Sequence, residues 1–141
     1  MIIDSHCHLE YEPMSLTLEK TISRANNDGV KYLLTISTTD KSLKKILKIT
    51  EDFDCVYGTY GIHPHEAKNH NKITSKDIIK KISLSKKLIG IGETGLDFYY
   101  NHSEKKDQMI SFEEHINSAQ ILNIPLIAVS YTHLRAHETD S

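Results

Sequence analysis

The sequence has 141 residues, 38% of them hydrophobic, which is the size of one domain with enough apolar side chains to bury a core. Lys and Arg number 17 against 19 Asp and Glu, and the resulting net charge of -2 excludes the broad basic surface of a non-specific nucleic-acid binder. Two cysteines are too few for a disulfide framework, and neither a signal peptide nor a long apolar span is evident, so we expect a cytoplasmic protein.

Short apolar runs alternate with helical patterns along the chain. The first run, Met1 to Ser5, predicts a strand, and the helix that follows is predicted by the apolar spacing of Leu18, Ile22 and Ala25. Further strands are predicted over 31–37, 55–61, 87–93 and 125–129, with helices over 43–50, 75–83 and 112–122. The last of these helices is predicted to bury an apolar stripe of Phe112, Ile116, Ala119 and Leu122.

Helices between successive strands predict parallel pairing through right-handed crossovers, and therefore an α/β fold. The sheet is expected either to be open and doubly wound or to close into a barrel. No GxGxxG or Walker A loop follows the first strand, which disfavours the nucleotide-binding open sheets. In a barrel, active-site residues gather at the carboxyl ends of the strands, and polar clusters follow three of the predicted strands.

The first polar cluster is at the start of the chain, in MIIDSHCHLEY. Because side chains alternate along a strand, Asp4, His6 and His8 are predicted to project together, with Ser5 and Cys7 on the other face. Two imidazoles and a carboxylate on one surface are suited to a divalent metal such as zinc, manganese or iron. Taken alone, the pair of histidines is equally well explained as the polar rim of a strand end.

Two further strand ends carry residues of the same types. The third predicted strand is followed by GIHPHEA, with His63 and His65, and the fourth by GETGLDFYY, with Glu93 and Asp97. Metal-ligand or acid-base residue types at three strand ends favour a metal-centred hydrolytic site over a polar rim.

The remaining residues of these motifs have structural explanations as well. His63 precedes a proline and is interpreted as shaping its loop, and Asp97 follows a glycine and is interpreted as a turn or helix-cap residue. Tyr99 and Tyr100 are equally suited to stacking on a nucleobase and to packing at a barrel mouth.

Other histidines and cysteines carry weaker functional signals. Cys7 is interpreted as a small core residue, because strand alternation directs it away from its histidine neighbours. His115 lies among apolar helix positions and is interpreted as a packed histidine, while His70 and His102 lie in polar loops and indicate nothing specific.

Together and in this order, DSHCHLE, GIHPHEA and GETGLDFYY resemble the TatD family of metal-dependent deoxyribonucleases, over about Met1 to Val129. The resemblance implies a (β/α)8 TIM barrel that holds one or two divalent metal ions (Mg, Mn or Zn) and hydrolyses phosphodiester bonds in DNA. It assigns His6, His8 and Glu93 as metal ligands, with Glu93 also catalytic. His65 matches a histidine near the scissile phosphate and is assigned to substrate binding.

The sequence departs from the family pattern toward its end. A complete barrel needs roughly 250 residues, so the chain is expected to hold about four and a half βα units. Val129 stands where the family has a histidine ligand. Residues 130–141, SYTHLRAHETDS, fit neither the family nor the strand pattern and resemble a translated sequencing-adapter tail. We therefore divide the chain into a half barrel, 1–129, and an artefactual tail, and reject the pair His133 and His137 as metal ligands.

Three functions remain open from the sequence. The favoured one is a deoxyribonuclease activity of the longer parent protein, with DNA as substrate and with this chain inactive by itself. A second is hydrolysis of another ester or amide, because amidohydrolase-like barrels share the HxH strand end. The third is a non-catalytic half barrel that assembles across its open sheet edges.

Overall fold

The computed structural model describes residues 1–131, which form a parallel sheet with helices between its strands. The strands are β1 (Ile2–Cys7), β2 (Val30–Thr35), β3 (Val56–Tyr60), β4 (Leu88–Leu96) and β5 (Leu126–Ser130). The helices are α1 (Leu18–Asn27), α2 (Asp40–Asp52), α3 (Ser75–Ile82) and α4 (Lys105–Leu122), with short 3-10 helices at Met14–Leu16 and Pro64–Asn69.

The five strands pair in chain order, and every neighbouring pair is parallel. This arrangement confirms the predicted α/β fold and is that of a curled half barrel, in which strand, helix and strand succeed one another as in a TIM barrel. Within residues 1–131, β1 and β5 are the outer strands of the sheet. On β1, Ile2 and Ile3 are both more than half exposed. No helix of this part of the chain is long and apolar enough to cross a membrane.

Two helices begin at threonines that cap their first turn. Thr39 Oγ1 accepts the N–H of Ser42 at 3.1 Å, and Ser42 Oγ accepts the N–H of Thr39 at 3.0 Å. Thr74 and Asp77 make the same reciprocal pair at the start of α3. These capping boxes satisfy backbone donors that a helix leaves unpaired, and they fix where the polypeptide turns back toward the sheet.

The buried apolar side chains form two clusters where the helices pack on the sheet. One lies against β3 and β4 and includes Leu43, Ile46, Tyr60, Ile78 and Ile91. The other lies against β2 and consists of Leu9, Ile22, Leu33, Ile49 and Val56. Cys7 packs against this second cluster, as predicted, and burial raises the pKa of its thiol to about 12.

The predicted apolar stripe of α4 is confirmed at Ala119, which is buried, and at Leu122, which packs against the first cluster, but not over its first half. Phe112 and Ile116 are only partly buried, and the fully buried face of the helix is mostly polar. The residues on that face are Gln108, Ser111, His115, Ser118 and Ala119. The helix also begins at Lys105 and not near Phe112, so it has a polar first turn that the apolar periodicity did not include.

Candidate metal centre

The three predicted metal ligands come from strands that are not neighbours. His6 lies in β1, His8 follows directly after it, and Glu93 lies in β4. Two strands separate β1 from β4 in the sheet. Because the sheet curls, one ligand atom of each residue lies within 4.8 Å of the other two. Their role as ligands stays a prediction, but the curvature of the sheet brings them together.

The carboxylate of Glu93 lies between the two imidazoles. Its Oε1 is 3.7 Å from Nε2 of His6, and its Oε2 is 3.9 Å from Nε2 of His8. Glu93 is buried, His8 is partly buried and His6 is exposed, so the cluster opens to solvent on the side of His6. Asp4, which strand alternation placed with them, instead accepts the backbone N–H of His6 through its carboxylate.

The orientation of His8 is set by acceptors on the far side of its ring. Nδ1 lies 3.0 Å from the carbonyl oxygen of Ile36 and 3.3 Å from Oε1 of Glu10. Both atoms are acceptors, so Nδ1 carries the proton and the lone pair of Nε2 faces Glu93. The hydrogen bond with Glu10 raises the pKa of His8, and partial burial offsets this only in part.

Sequence reasoning missed Glu10 as part of the site. Its side chain is fully buried, and Oε2 accepts a hydrogen bond from Thr35 Oγ1 at 2.7 Å. Thr35 Oγ1 in turn accepts the N–H of Leu9 at 3.1 Å. A carboxylate that orients a metal-ligating histidine is a recurrent partner at metal sites. The available signal was its spacing, since Glu10 continues the alternation of His6 and His8 by two residues.

The donor set fits a divalent metal ion. Two imidazole nitrogens and a carboxylate oxygen are the ligands that Zn²⁺, Mn²⁺ and Fe²⁺ take in proteins. One imidazole is already oriented with its free nitrogen toward the shared carboxylate. Residues 1–131 therefore provide three donors in this cluster, which is fewer than a closed four-coordinate site requires.

The motif after β3 lies across the same cleft. This cleft has a volume of about 380 Å³ and is lined by His8, Glu93, His63 and His65 among others. His63 Nδ1 accepts the N–H of His65 at 3.2 Å and so caps the short helix that follows. Burial lowers the pKa of His63 to about 4. The predicted loop-shaping role of His63 matches this contact.

His65 is paired with a buried aspartate. Nε2 of His65 hydrogen-bonds Oδ2 of Asp97, and the other carboxylate oxygen accepts the N–H groups of Tyr99 and Tyr100, each at 3.0 Å. Burial would raise the pKa of Asp97, but the hydrogen bonds from Tyr100, His65 and Tyr99 outweigh it and lower the pKa. Asp97 is therefore the predicted turn residue, and it also holds His65, which the sequence did not indicate.

The polar face of α4 anchors the loop that carries Asp97. Gln108 accepts the N–H of Asp97 at 2.7 Å and donates to the carbonyl oxygens of Asp97 and Ser103. Ser103 Oγ donates to the carbonyl of His65 at 3.0 Å and accepts the N–H of Lys68. These contacts join the loops after β3 and β4 to one helix.

His115, about two turns further along α4, also holds backbone at the cleft. Its Nδ1 donates to the carbonyl of Ser111 at 2.6 Å, and its Nε2 accepts the N–H of Ile62 at 3.0 Å. One nitrogen must donate and the other must accept, so the ring is neutral, and burial lowers its pKa to about 4. The predicted packed histidine is confirmed. It fixes the backbone of GIHPHEA at Ile62, one residue before His63.

Two glycines allow the strand ends that carry the site to approach closely. A Cβ atom on Gly61 would lie 2.4 Å from the Cα of Gly92, and one on Gly92 would lie 2.4 Å from the carbonyl oxygen of Ile127. Gly92 also has a φ of +137°, a conformation that L side chains rarely adopt. These glycines are the first residues of GIHPHEA and GETGLDFYY. Their close contact lets His63 and His65 lie near Glu93.

A family model described as TatD related DNase matches residues 3–140. The chain belongs to this family. Among TatD relatives, an uncharacterized metal-dependent hydrolase of Buchnera aphidicola subsp. Baizongia pistaciae is 37% identical over 130 residues, covering 89% of this chain and 48% of the relative. The 3'-5' ssDNA/RNA exonuclease TatD of Shigella flexneri is 30% identical over 121 residues, covering 85% of this chain and 45% of the relative.

Solved structures show the same TatD fold. The crystal structure of YjjV, a TatD homologue from Escherichia coli, superimposes with a TM-score of 0.82 at 25% identity and covers 95% of this chain and 52% of that one. A TatD family hydrolase of Entamoeba histolytica has a TM-score of 0.75 at 18% identity and covers 85% and 46%. The chain spans about half the length of the curated relatives it matches.

Two predictions concern the end of the chain, namely the boundary at 129 and the tail that follows it. Strand β5 extends to Ser130, one residue past the predicted end of the half barrel, and Tyr131 borders the cleft. His133 and His137 lie outside the described residues. The boundary at 129 and the artefactual tail therefore stay predictions, although the TatD family model continues to residue 140.

Proposed function

We propose that the chain is the amino-terminal part of a TatD-type phosphodiesterase that hydrolyses DNA. The observation that carries the proposal is the convergence of His6 and His8 from β1 with Glu93 from β4, beside a cleft that His8, Glu93 and His65 line and where the buried Asp97 holds His65. A divalent metal in such a site supplies Lewis-acid activation of the attacking water.

The chain's own residues have separate tasks in this proposal. His6 and His8 would hold the metal through Nε2, and Glu93 would bind it while keeping the two imidazoles on either side of its carboxylate. Glu10 keeps the proton of His8 on Nδ1, so that Nε2 stays available. A metal held by these residues would lie beside the cleft that His63 and His65 also line.

His65 is suited to bind a phosphate oxygen. With the Nε2–H group donated to Asp97, a proton on Nδ1 would make a cation whose charge is partly balanced by that buried carboxylate. An imidazolium donates stronger hydrogen bonds to phosphate oxygens than a neutral group does. A hydrogen-bond donor at this position would bind a phosphate oxygen locally, whereas the net charge of -2 gives no general attraction for a polyanion.

DNA is the favoured substrate because the Shigella relative is named an exonuclease of single-stranded DNA and RNA. Other relatives, among them that of Buchnera aphidicola, carry the broader name of metal-dependent hydrolase. Hydrolysis of another ester or amide bond is therefore the second candidate. The cytosolic location predicted from two cysteines stays a prediction.

The test compares this chain with a version extended to the end of its reading frame. Both are loaded with Mn²⁺ or Zn²⁺, their bound metal is counted, and cleavage of a 5'-labelled single-stranded oligonucleotide is followed. We expect the extended protein to bind metal and cleave DNA, and Glu93→Gln to abolish cleavage. Glu51→Gln, an exposed position on α2, is the charge-matched control and should leave cleavage unchanged. Metal binding with intact DNA and hydrolysis of a carboxylic ester would favour the second candidate.

A further inference from the structure

An exposed group of aromatic rings borders the cleft beside the predicted phosphate-binding histidine. We call this group, Tyr100, His102 and His65, the aromatic shelf. The rings of Tyr100 and His102 are nearly parallel, at 18°, with their centroids 6.2 Å apart. The ring of His65 lies 4.4 Å from His102 and 6.1 Å from Tyr100. The shelf is therefore continuous with the wall of the cleft.

Tyr131 stacks on His65 and lies edge-on to Tyr100, with ring centroids 5.9 Å and 5.6 Å apart, so Tyr100 and His102 form the solvent-accessible part of the shelf. Tyr100 is 51% exposed and His102 is exposed as well. Soluble proteins seldom keep clustered aromatic rings in water unless the rings contact a partner. The position of the shelf, next to the cleft, indicates that the partner is whatever the cleft binds.

The backbone beneath the shelf is held firmly. Asp97 accepts the N–H of Tyr100, and Gln108 donates to the carbonyl of Ser103, so both ends of the segment that carries the rings are fixed. Rings presented on a fixed backbone lose little conformational entropy when they bind a flat ligand. The geometry is that of a preformed stacking surface.

We propose that the aromatic shelf stacks on an unpaired nucleobase of the strand whose phosphate lies in the cleft. The inference rests on the proposed function and adds to it a surface that contacts a base, since a base inside a duplex is already stacked on both faces and only an unpaired one can stack here. Stacking would also give this chain affinity for a nucleic acid that its charge does not provide. Its net charge of -2 gives little general attraction for a phosphate backbone, whereas stacking depends on aromatic faces and not on charge.

The test uses two five-residue oligonucleotides with the same sugar-phosphate backbone. One is single-stranded DNA, and in the other a tetrahydrofuran spacer replaces every nucleoside. Binding of both to the chain is measured by fluorescence anisotropy without added metal, for the wild type, Tyr100→Leu and the matched control Tyr100→Phe. His102→Leu is a second variant that removes a different ring of the shelf. Cleavage of the DNA by the extended protein is measured separately with Mn²⁺.

Loss of one stacked base is expected to weaken binding by about five- to 100-fold. Tyr100→Leu and His102→Leu should therefore bind the DNA more weakly than the wild type by that factor, while Tyr100→Phe stays within about twofold. The spacer oligonucleotide should bind the wild type and both leucine variants equally weakly.

The outcomes separate this inference from the proposed function. Equal binding of the two oligonucleotides by the wild type, or unchanged DNA binding by the leucine variants, overturns the shelf, and DNA cleavage would still support the proposed function. Shelf-dependent binding by this chain without cleavage by the extended protein supports the shelf and overturns DNA hydrolysis. Binding of neither oligonucleotide overturns the shelf, and the proposed function is then decided by cleavage in the extended protein alone.

Discussion

Replacing Glu10 by glutamine should weaken metal binding although Glu10 is not itself a predicted ligand. The substitution keeps the size of the side chain but removes the charge that lies 3.3 Å from Nδ1 of His8. Thr35 Oγ1 can still donate to the amide oxygen, so the new NH₂ group then faces the Nδ1–H of His8. His8 must lose this hydrogen bond or shift its proton to Nε2, the nitrogen assigned to the metal.

The magnitude follows from the kind of hydrogen bond that is lost. A hydrogen bond to a charged group contributes about 1.5–3 kcal/mol and no neutral bond replaces it, so the change costs about 1.5–3 kcal/mol. That is a loss of about ten- to 150-fold in metal affinity, close to the effects seen when such supporting carboxylates are removed.

Competition for Zn²⁺ against a chromophoric chelator at fixed pH measures this affinity. Glu66→Gln is the matched control, because Glu66 lines the same cleft and carries the same charge but hydrogen-bonds Asn69 instead of a predicted ligand. Its effect should be less than about threefold if only long-range charge is lost. The ¹⁵N shifts of the His8 ring report its tautomer directly. Equal affinities of Glu10→Gln and wild type, with an unchanged tautomer, would refute the reasoning.

Three further changes test the rest of the site. Asp97→Asn in the extended protein should lower kcat/KM for DNA by about ten- to 100-fold, because His65, the proposed phosphate-binding residue, loses a charged partner; an unchanged kcat/KM argues against the pairing. His115 has a folded pKa of about 4 against about 6.5 unfolded, so its neutral form stabilises the fold above pH 6.5 and this contribution, about 3 kcal/mol, is lost as pH falls to 4. Urea unfolding between these pH values should show that slope, and His115→Gln should flatten it. Gly61→Ala should lower the unfolding free energy by about 1–3 kcal/mol, seen as a lower Tm, since the new Cβ meets backbone that cannot rotate away.

The parts of the fold and site that were predictable from sequence depend on local patterns. Strand alternation was enough to pair His6 with His8, and the alternation of strands with helices was enough to predict a parallel α/β sheet. These local patterns do not predict that the two histidines meet Glu93, because that contact depends on the curl of the sheet. That curl depends on how the helices pack, and the resemblance to a family of barrels supplied it where periodicity did not.

The supporting carboxylates were not predictable because their partners are distant in sequence. Asp97 binds a histidine 32 residues earlier in the chain, and Glu10 binds a threonine 25 residues later. In the sequence each appears as an ordinary polar residue near a turn or strand end. Only the fold shows that both are buried and that each holds one of the histidines of the cleft.

The buried polar face of α4 was not predictable for the same reason, because the groups that it binds are distant in sequence. It also shows how the helix and the site depend on each other. The loops after β3 and β4 must leave regular sheet pairing to present their side chains to the cleft, so their backbone N–H and C=O groups need other partners. Gln108 and His115 supply those partners from buried helix positions that hydrophobic periodicity assigns to the core. Apolar residues there would improve the helical pattern but leave the N–H groups of Asp97 and Ile62 unpaired, at about 1–3 kcal/mol for each buried group. The polar face of α4 is therefore a consequence of the site that the helix supports.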